Sequence, residues 1–119
     1  MGKRENIIKE KTYAFALRVI KLYNYLIETN KEYVLSKQIL RSGTSIGANV
    51  EEAIGGHSKK VFIARIQIAY KEAREVHYWL RLLRDSNYID DKLAESLLSD
   101  CEEIVAILTA ILKTSKDNS

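Results

Sequence analysis

The spacing of apolar residues along the chain predicts four amphipathic helices, at roughly 10–29, 34–55, 59–84 and 91–113. In each segment apolar side chains recur every three or four positions, which is the spacing of one helix face. The pattern is most regular in the third segment, where spacings of four and three alternate at Phe62, Ile66, Ala69, Ala73, Val76, Leu80 and Leu83. Since the connections are short and no strand-like alternation competes, we expect residues 1–119 to form one all-α domain, an antiparallel up-and-down four-helix bundle.

The first predicted helix is apolar over more than half of its circumference. One apolar row consists of Phe15, Val19, Leu22 and Leu26. A second row lies beside it, with Asn24 inside it, and consists of Tyr13, Leu17, Ile20 and Ile27. A helix at the edge of a monomeric bundle needs an apolar stripe only about 100° wide. We therefore expect this helix to contact more than one neighbour.

The second predicted helix contains two glycines, in the stretch "SGTSIGANVEEA" (42–53). Gly43 and Gly47 fall one turn apart on one flank, and each costs about 1 kcal/mol relative to alanine inside a helix. The close approach of another helix would offset this cost, because small residues let two backbones come together. That helix belongs either to the same chain or to another subunit. Both glycines are therefore candidates for an oligomer interface.

Polar side chains interrupt the inner side of the same helix. Ser42 and Asn49 lie on that side, with Ser45 and Glu52 along its edge. Buried polar groups need hydrogen-bond partners. The row is either a structural network that fixes the helix register, as a buried Asn does in coiled coils, or a site for a polar ligand. We favour the structural interpretation.

The connections carry recognisable helix boundaries. "GGHS" (55–58) ends the second helix, because paired glycines leave a helix easily. Ser58 is a suitable N-cap for the third helix, and Asp90, after the turn "DSNYID" (85–90), is one for the fourth.

Composition narrows the environment in which the protein works. The one cysteine, Cys101, falls in the inner row of the fourth helix, so we expect a small core residue rather than a reactive thiol. A single cysteine allows no internal disulfide and fits a reducing compartment. No apolar stretch is long enough to span a membrane, and the first residues lack the apolar segment of a secretory signal. We therefore expect a soluble, cytoplasmic protein.

Charge is distributed unevenly along the chain, whose formal net charge is +3. Residues 57–84 carry seven basic and two acidic side chains, a net of +5, and residues 85–119 carry three basic and eight acidic ones, a net of −5. This layout predicts either pairing between the two segments or a basic surface offered to an acidic partner.

The outer face of the third helix collects much of the positive charge. Its candidate nucleic-acid-binding residues are Lys60, Lys71, Arg74, Tyr78 and Arg81. Such a row can follow a phosphate backbone with its cations and stack bases on its tyrosine. The alternative is a charged face that is only solvated.

Trp79 lies with Ile68 and Leu82 to one side of the apolar row of the third helix. An aromatic side chain beside charged groups is a common interface anchor. Trp79 is therefore a further candidate for the oligomer interface. The alternative is that it fills the edge of the chain's own core.

The sequence contains no recognisable catalytic, cofactor or metal set. Glu72, Glu75 and His77 do not form the Glu-x-x-His pair of di-iron bundles, and His57 falls in a predicted loop. There is no glycine-rich phosphate loop after a strand and no nucleophile–histidine arrangement. We expect no enzyme activity, no cofactor and no bound metal.

Two stretches carry a family resemblance. "YVLSKQILRSGTSIGANVEEA" (33–53) and "IAYKEAREVHYWL" (68–80) closely resemble the second and third helices of the family named after proteins encoded in 23S rRNA intervening sequences. The resemblance covers about residues 10–113. It implies an antiparallel four-helix bundle and a pentameric ring, and it implies no enzyme activity. The family is similar to the accessory variability protein of diversity-generating retroelements, a basic pentamer that binds nucleic acid and a reverse transcriptase.

These observations favour a non-enzymatic, oligomeric helical module that binds RNA or DNA without sequence preference, as an adaptor. The alternative is a structural or protein-interaction scaffold with no nucleic-acid role. The expected partners are further copies of the chain, RNA or DNA, and a protein partner, but no membrane.

Overall fold

The fold, given by a computed structural model that describes residues 2–117, is an antiparallel up-and-down four-helix bundle. Its helices are α1 (Lys3–Glu28), α2 (Leu35–Ile54), α3 (Lys59–Asp85) and α4 (Asp91–Asp117), and no strand occurs among these residues. The predicted fold class is confirmed.

Each helix packs on the next one along the chain, and α4 returns to α1 with the smallest of the four contacts. α1 and α3 are therefore diagonal to each other, as are α2 and α4. Ion pairs between neighbours show the antiparallel directions. Lys9 near the start of α1 is 3.7 Å from Glu51 near the end of α2, and Glu52 is 3.0 Å from Arg65 near the start of α3.

Two helix ends differ from the prediction. α1 begins at Lys3 rather than near residue 10, and α4 continues to Asp117 rather than ending near 113. Within the added turns, Arg4 Nη1 donates a hydrogen bond to Thr114 Oγ1 at 2.8 Å. Ile8, one turn further along α1, is fully buried. The chain ends support each other in the folded bundle, a contact that the apolar spacing within either segment does not reveal.

The predicted apolar rows form the core. In α3 every member of the regular row is buried except Phe62, which is half-buried. The largest fully buried side chains come from all four helices and include Phe15, Leu26, Ile39, Ile46, Ile66, Leu80, Leu97 and Leu108. Folding removes the apolar surface of these side chains from water. This hydrophobic effect supplies most of the driving force for folding.

The glycines of α2 face α1 of the same chain. A Cβ added to Gly43 would lie 2.7 Å from Val19 Cγ1, and one added to Gly47 would lie 3.4 Å from the backbone oxygen of Thr12. The close approach expected for these glycines is therefore real, but it occurs within one subunit. Neither residue now supports a subunit interface, because the contact between α1 and α2 explains both.

Both predicted N-caps are confirmed. Val61 N donates to Ser58 Oγ at 3.1 Å, and Leu93 N donates to Asp90 Oδ1 at 2.7 Å. The cap of α2 was not anticipated. The carboxylate of Glu32 accepts hydrogen bonds from Val34 N and Ser36 N, at 3.2 and 2.7 Å. A carboxylate at the N-terminus of a helix accepts hydrogen bonds from N–H groups that have no partner within the helix. Its negative charge also interacts favourably with the positive end of the helix dipole.

Cys101 lies in the core, as its position in the apolar row predicts. The residue is fully buried, and its thiol donates a hydrogen bond to the backbone oxygen of Ala73 at 3.2 Å. Burial, with smaller contributions from Glu102 and Asp100, raises the pKa of the thiol to about 12.

Candidate nucleic-acid interface

The outer face of α3 exposes the basic residues that the sequence singles out. Successive spacings of eleven, three, four and three residues place them on one side of the helix, opposite the buried row. Tyr78 is 49% exposed, and the four cations beside it are exposed as well: Lys60, Lys71, Arg74 and Arg81. The structure thus brings all five candidate residues to one continuous surface.

Two of these arginines are held by tyrosines of the same helix. Arg74 Nη1 donates to Tyr70 Oη at 3.0 Å, and its guanidinium carbon lies 5.9 Å from the centre of the Tyr70 ring. The guanidinium carbon of Arg81 lies 5.7 Å from the centre of the Tyr78 ring, and its Nε donates to the backbone oxygen of His77 at 3.3 Å. These contacts restrict the side chains without neutralising their charge, because none of them involves an acid.

Ion pairs largely bypass this face. Among residues 2–117, two acids of α4 pair with α1, Glu103 with Lys11 at 2.6 Å and Asp100 with Arg18 at 2.7 Å. The ion pairs that join the basic and acidic segments within these residues are the adjacent Arg84–Asp85 pair and His77–Glu102.

None of the four cations of the α3 face forms an ion pair within the described residues. Pairing between the two segments is limited to those two ion pairs among the described residues. A basic surface offered to an acidic partner stays a prediction.

A groove of about 730 Å³ runs beside the basic face, between α3 and α4. The α3 side contributes Glu75, Tyr78 and the arginines on either side of Tyr78, and the α4 side contributes Val105 and Ala106. His77 Nε2 and Glu102 Oε2, which are 2.8 Å apart, also line the groove. The lining of the groove is therefore partly basic, partly acidic and partly apolar.

The side chains of the polar row of α2 bond mainly to the backbone of their own helix, which differs from a network between helices that fixes the register. Ser42 Oγ donates to the backbone oxygen of Gln38, and Ser45 Oγ donates to that of Arg41. Asn49 Nδ2 likewise donates to Ser45 O at 2.9 Å. These hydrogen bonds stay within one helix, where they compete with the ordinary backbone ladder.

Two members of the polar row, Asn49 and Glu52, reach a second helix. Arg65 of α3 lies 3.5 Å from Asn49 Oδ1 and 3.0 Å from Glu52. The choice between a structural row and a polar ligand site stays a prediction.

A second ionic group joins α2 to α3 and was not foreseen from the sequence. Arg41 Nη1 lies 3.3 Å from Glu72 Oε2, and Arg41 Nη2 pairs with Glu75. The side chain of Glu72 is only 11% exposed, so its charge depends on this partner. The signal in the sequence was the pair of acids one turn apart on α3, but their partner lies 31 residues away from Glu72.

Trp79 lies at the edge of this ionic group. The residue is half-buried, and its Nε1 donates to Glu75 Oε1 at 3.2 Å. Its ring meets that of Tyr78 edge to face, with 5.3 Å between the centres. Ile68, one of its neighbours on the helix wheel, is 39% exposed. Trp79 therefore fills part of the core edge and still presents a surface.

The second apolar row of α1 lies mostly in water in the single chain. Tyr13 is 65% exposed, Leu17 is 53% exposed and Ile20 is 41% exposed. The first apolar row of the same helix is buried in the bundle, so the chain itself covers only one of the two rows.

The requirements of a metal site and of a membrane-spanning helix are not met by the described residues. Among residues 2–117, no group of three or more His, Cys, Asp or Glu side chains is placed to hold a metal ion. No helix in this part of the chain is both long and apolar enough to cross a membrane.

The fold and surface define the class of small antiparallel four-helix bundles with one unpaired basic face. The chain belongs to the 23S rRNA-intervening sequence protein family, whose sequence profile matches residues 4–110. The resemblance noted from the two helical stretches is therefore confirmed, and it extends further towards the N-terminus.

A solved structure supports the same assignment. It is the crystal structure of a protein with unknown function from the S23 ribosomal protein family, from Bacteroides thetaiotaomicron. It is 47% identical to this chain with a TM-score of 0.91, over 92% of this chain and 98% of that one. No curated protein matches the chain.

Proposed function

We propose that the protein is a non-enzymatic, homo-oligomeric module that binds RNA or DNA without sequence preference through the outer face of α3, and that it acts as an adaptor. The observation that carries this proposal is the set of four exposed cations on α3 without a carboxylate partner. Unpaired cations attract phosphates and release the counterions condensed around a nucleic acid, which favours binding independently of sequence.

Assembly would strengthen weak binding at this face. Each copy in an oligomer repeats the same basic surface, so several weak contacts act together at high effective concentration. The exposed row of α1 and the Trp79 edge of α3 lie on diagonal helices. A contact between two different surfaces of successive copies repeats head to tail, and it gives a ring where the rotation between copies closes after a whole number of copies. The family resemblance sets the proposed ring size at five.

Binding is tested by fluorescence anisotropy with labelled RNA and DNA at several salt concentrations. We expect affinity to fall with salt, with a log–log slope near −0.9 per phosphate contact on duplex DNA. The triple variant Lys71→Glu/Arg74→Glu/Arg81→Glu should lose binding. The control Lys37→Glu/Lys92→Glu/Lys113→Glu changes the net charge equally on exposed sites elsewhere and should retain most of it.

Two results would overturn the proposal. One is the absence of wild-type binding at about 50 mM salt, where electrostatic contacts are strong. The other is an equal loss in both triple variants, which would attribute binding to net charge rather than to the α3 face.

The second candidate is a protein-interaction scaffold without a nucleic-acid role. The exposed row of α1 favours it, because apolar surface of this kind marks interaction sites. This candidate takes the lead if the wild-type protein assembles but binds no nucleic acid.

The oligomeric state is tested by size exclusion with light scattering. A chain of 13.7 kDa predicts a particle of about 68 kDa for five copies. A monomer at tens of micromolar protein would refute the assembly part of the proposal.

A further inference from the structure

The groove between α3 and α4 distinguishes this basic face from a plain row of cations. Its volume of about 730 Å³ falls within the range of small-molecule sites, roughly 300–1,000 Å³. A straight basic helix lying against a duplex would need no such recess, because phosphates are contacted from the outside.

The charges around the groove separate two kinds of ligand group. Arg74 and Arg81 line the groove and attract phosphates. Glu75 and Glu102 line it as well, and the side chain of Glu102 is 64% exposed. These carboxylates repel a phosphate that enters the groove but tolerate an uncharged base. The two arginines therefore suit the backbone of a nucleic acid, and the rest of the groove suits a base.

Tyr78 lies where the phosphate-binding arginines adjoin the part of the groove that suits a base. It lies one turn after Arg74 and one turn before Arg81, and its half-exposed ring lines the groove. Val105 and Ala106 of α4 complete the recess with apolar surface. The guanidinium of Arg81 lies over one face of the Tyr78 ring, so a base would stack on the other face. An aromatic face, apolar surface beside it and flanking cations are the elements of a base-stacking site.

We infer that the nucleic acid bound at this face is single-stranded, with one base stacked on Tyr78 inside the groove and the adjoining phosphates held by Arg74 and Arg81. Base faces are free for stacking in single strands and are covered by neighbouring bases in a duplex. A duplex can contact the arginines but cannot occupy the groove. This inference rests on the proposed function and narrows its ligand.

The first test compares single-stranded and duplex oligonucleotides of equal length at one salt concentration. We expect tighter binding of the single strand. Tyr78→Ala should weaken single-strand binding about fivefold or more, in line with the loss of one stacked base, and should leave duplex binding unchanged. Tyr78→Phe retains an aromatic ring and should bind nearly as well as wild type. Tyr25→Ala, at an exposed tyrosine on the diagonal helix, is the matched control.

The second test uses Trp79, the one tryptophan of the chain, as an internal reporter. Its ring centre is 5.3 Å from that of Tyr78, so a base stacked on Tyr78 should change its fluorescence. Single strands should produce this change and duplexes should not. Ala106→Leu fills part of the groove at an exposed helix position, and it should reduce both the signal and single-strand affinity without unfolding the protein.

The outcomes separate this inference from the function beneath it. Equal affinity for both nucleic acids, with wild-type binding by Tyr78→Ala and Ala106→Leu, overturns the single-strand inference and leaves the basic-face proposal intact. A loss in Tyr78→Phe as large as in Tyr78→Ala also overturns it, because stacking would then not be the cause. Absence of any binding by wild type overturns both.

Discussion

At the residue scale, close packing against a single neighbour explains why α2 contains a glycine at position 43 despite its cost to the helix. Gly43 lies against Val19, whose two methyl groups would be 2.7 and 2.8 Å from an added Cβ and whose own Cβ would be 3.1 Å away. The last distance matters most, because a Cβ cannot rotate out of the way. Gly47 has more room, with no atom nearer than 3.4 Å.

We therefore predict opposite effects for two similar substitutions. Gly43→Ala should destabilise the protein by about 1–3 kcal/mol, because overpacking against Val19 outweighs the gain in helix propensity. Gly47→Ala should be close to neutral or slightly stabilising. Urea unfolding of both variants measures the difference. Equal stability of the two would show that α1 moves aside without cost.

Burial also determines the reactivity of the one cysteine. With its pKa raised to about 12 by burial, the Cys101 thiol is ionised in only about one molecule in ten thousand at pH 8, and the thiolate is the reactive form. We predict that a thiol reagent leaves the native protein unmodified over hours and modifies one group per chain in denaturant. Rapid stoichiometric labelling of the native protein would contradict the buried position.

At the element scale, α2 and α3 are joined by ionic groups of unequal burial. Arg41 meets the nearly buried Glu72, whereas Arg65 and Glu52 are both largely in water, with side chains 44% and 54% exposed. An exposed ion pair contributes little because water and salt screen it. A pair with one buried member costs more to break, because the remaining charge keeps its desolvation penalty.

This difference predicts that Arg41→Met lowers the free energy of unfolding by about 1–3 kcal/mol, whereas Arg65→Met lowers it by less than about 1 kcal/mol. Adding Glu72→Gln to Arg41→Met should recover part of the loss, since the stranded charge is removed. Thermal or urea unfolding of the single and double variants measures the coupling. Additive effects of Arg41→Met and Glu72→Gln would show that the two side chains do not interact.

At the scale of the whole molecule, the exposed row of α1 is the strongest reason to expect assembly. We predict that Leu17→Glu and Ile20→Glu dissociate the oligomer while the helical content of each chain persists, because neither side chain belongs to the buried core. Ala48→Glu, at an exposed position of α2 outside this row, is the control and should assemble. Light scattering reports the mass and circular dichroism the helicity. Intact assembly in both variants would exclude this face from the interface.

The division between what could and could not be predicted follows the range of the interactions. The regular row of α3, the burial of Cys101 and the caps at Ser58 and Asp90 depend on spacing within one segment, and all were predicted. The Glu32 cap was missed because it acts from the loop before α2, outside the usual N-cap position. The early start of α1 was missed because it depends on contacts with the far end of the chain.

The sequence by itself determined four helices, their buried faces and the collection of positive charge on one face of α3, because helical periodicity is a local property of the chain. Only the tertiary structure decided that Gly43 meets Val19, that Arg41 pairs with Glu72, and that Asp100 and Glu103 of α4 pair with α1, while the four cations of the α3 face form no ion pair within residues 2–117. The physical reason is that the contacts of a helix flank depend on how the helix is rotated about its own axis and how far it is shifted along its neighbour when the ridges of one helix pack into the grooves of the other. The rotation and the shift depend on all four helices at once, so no single stretch of sequence contains them.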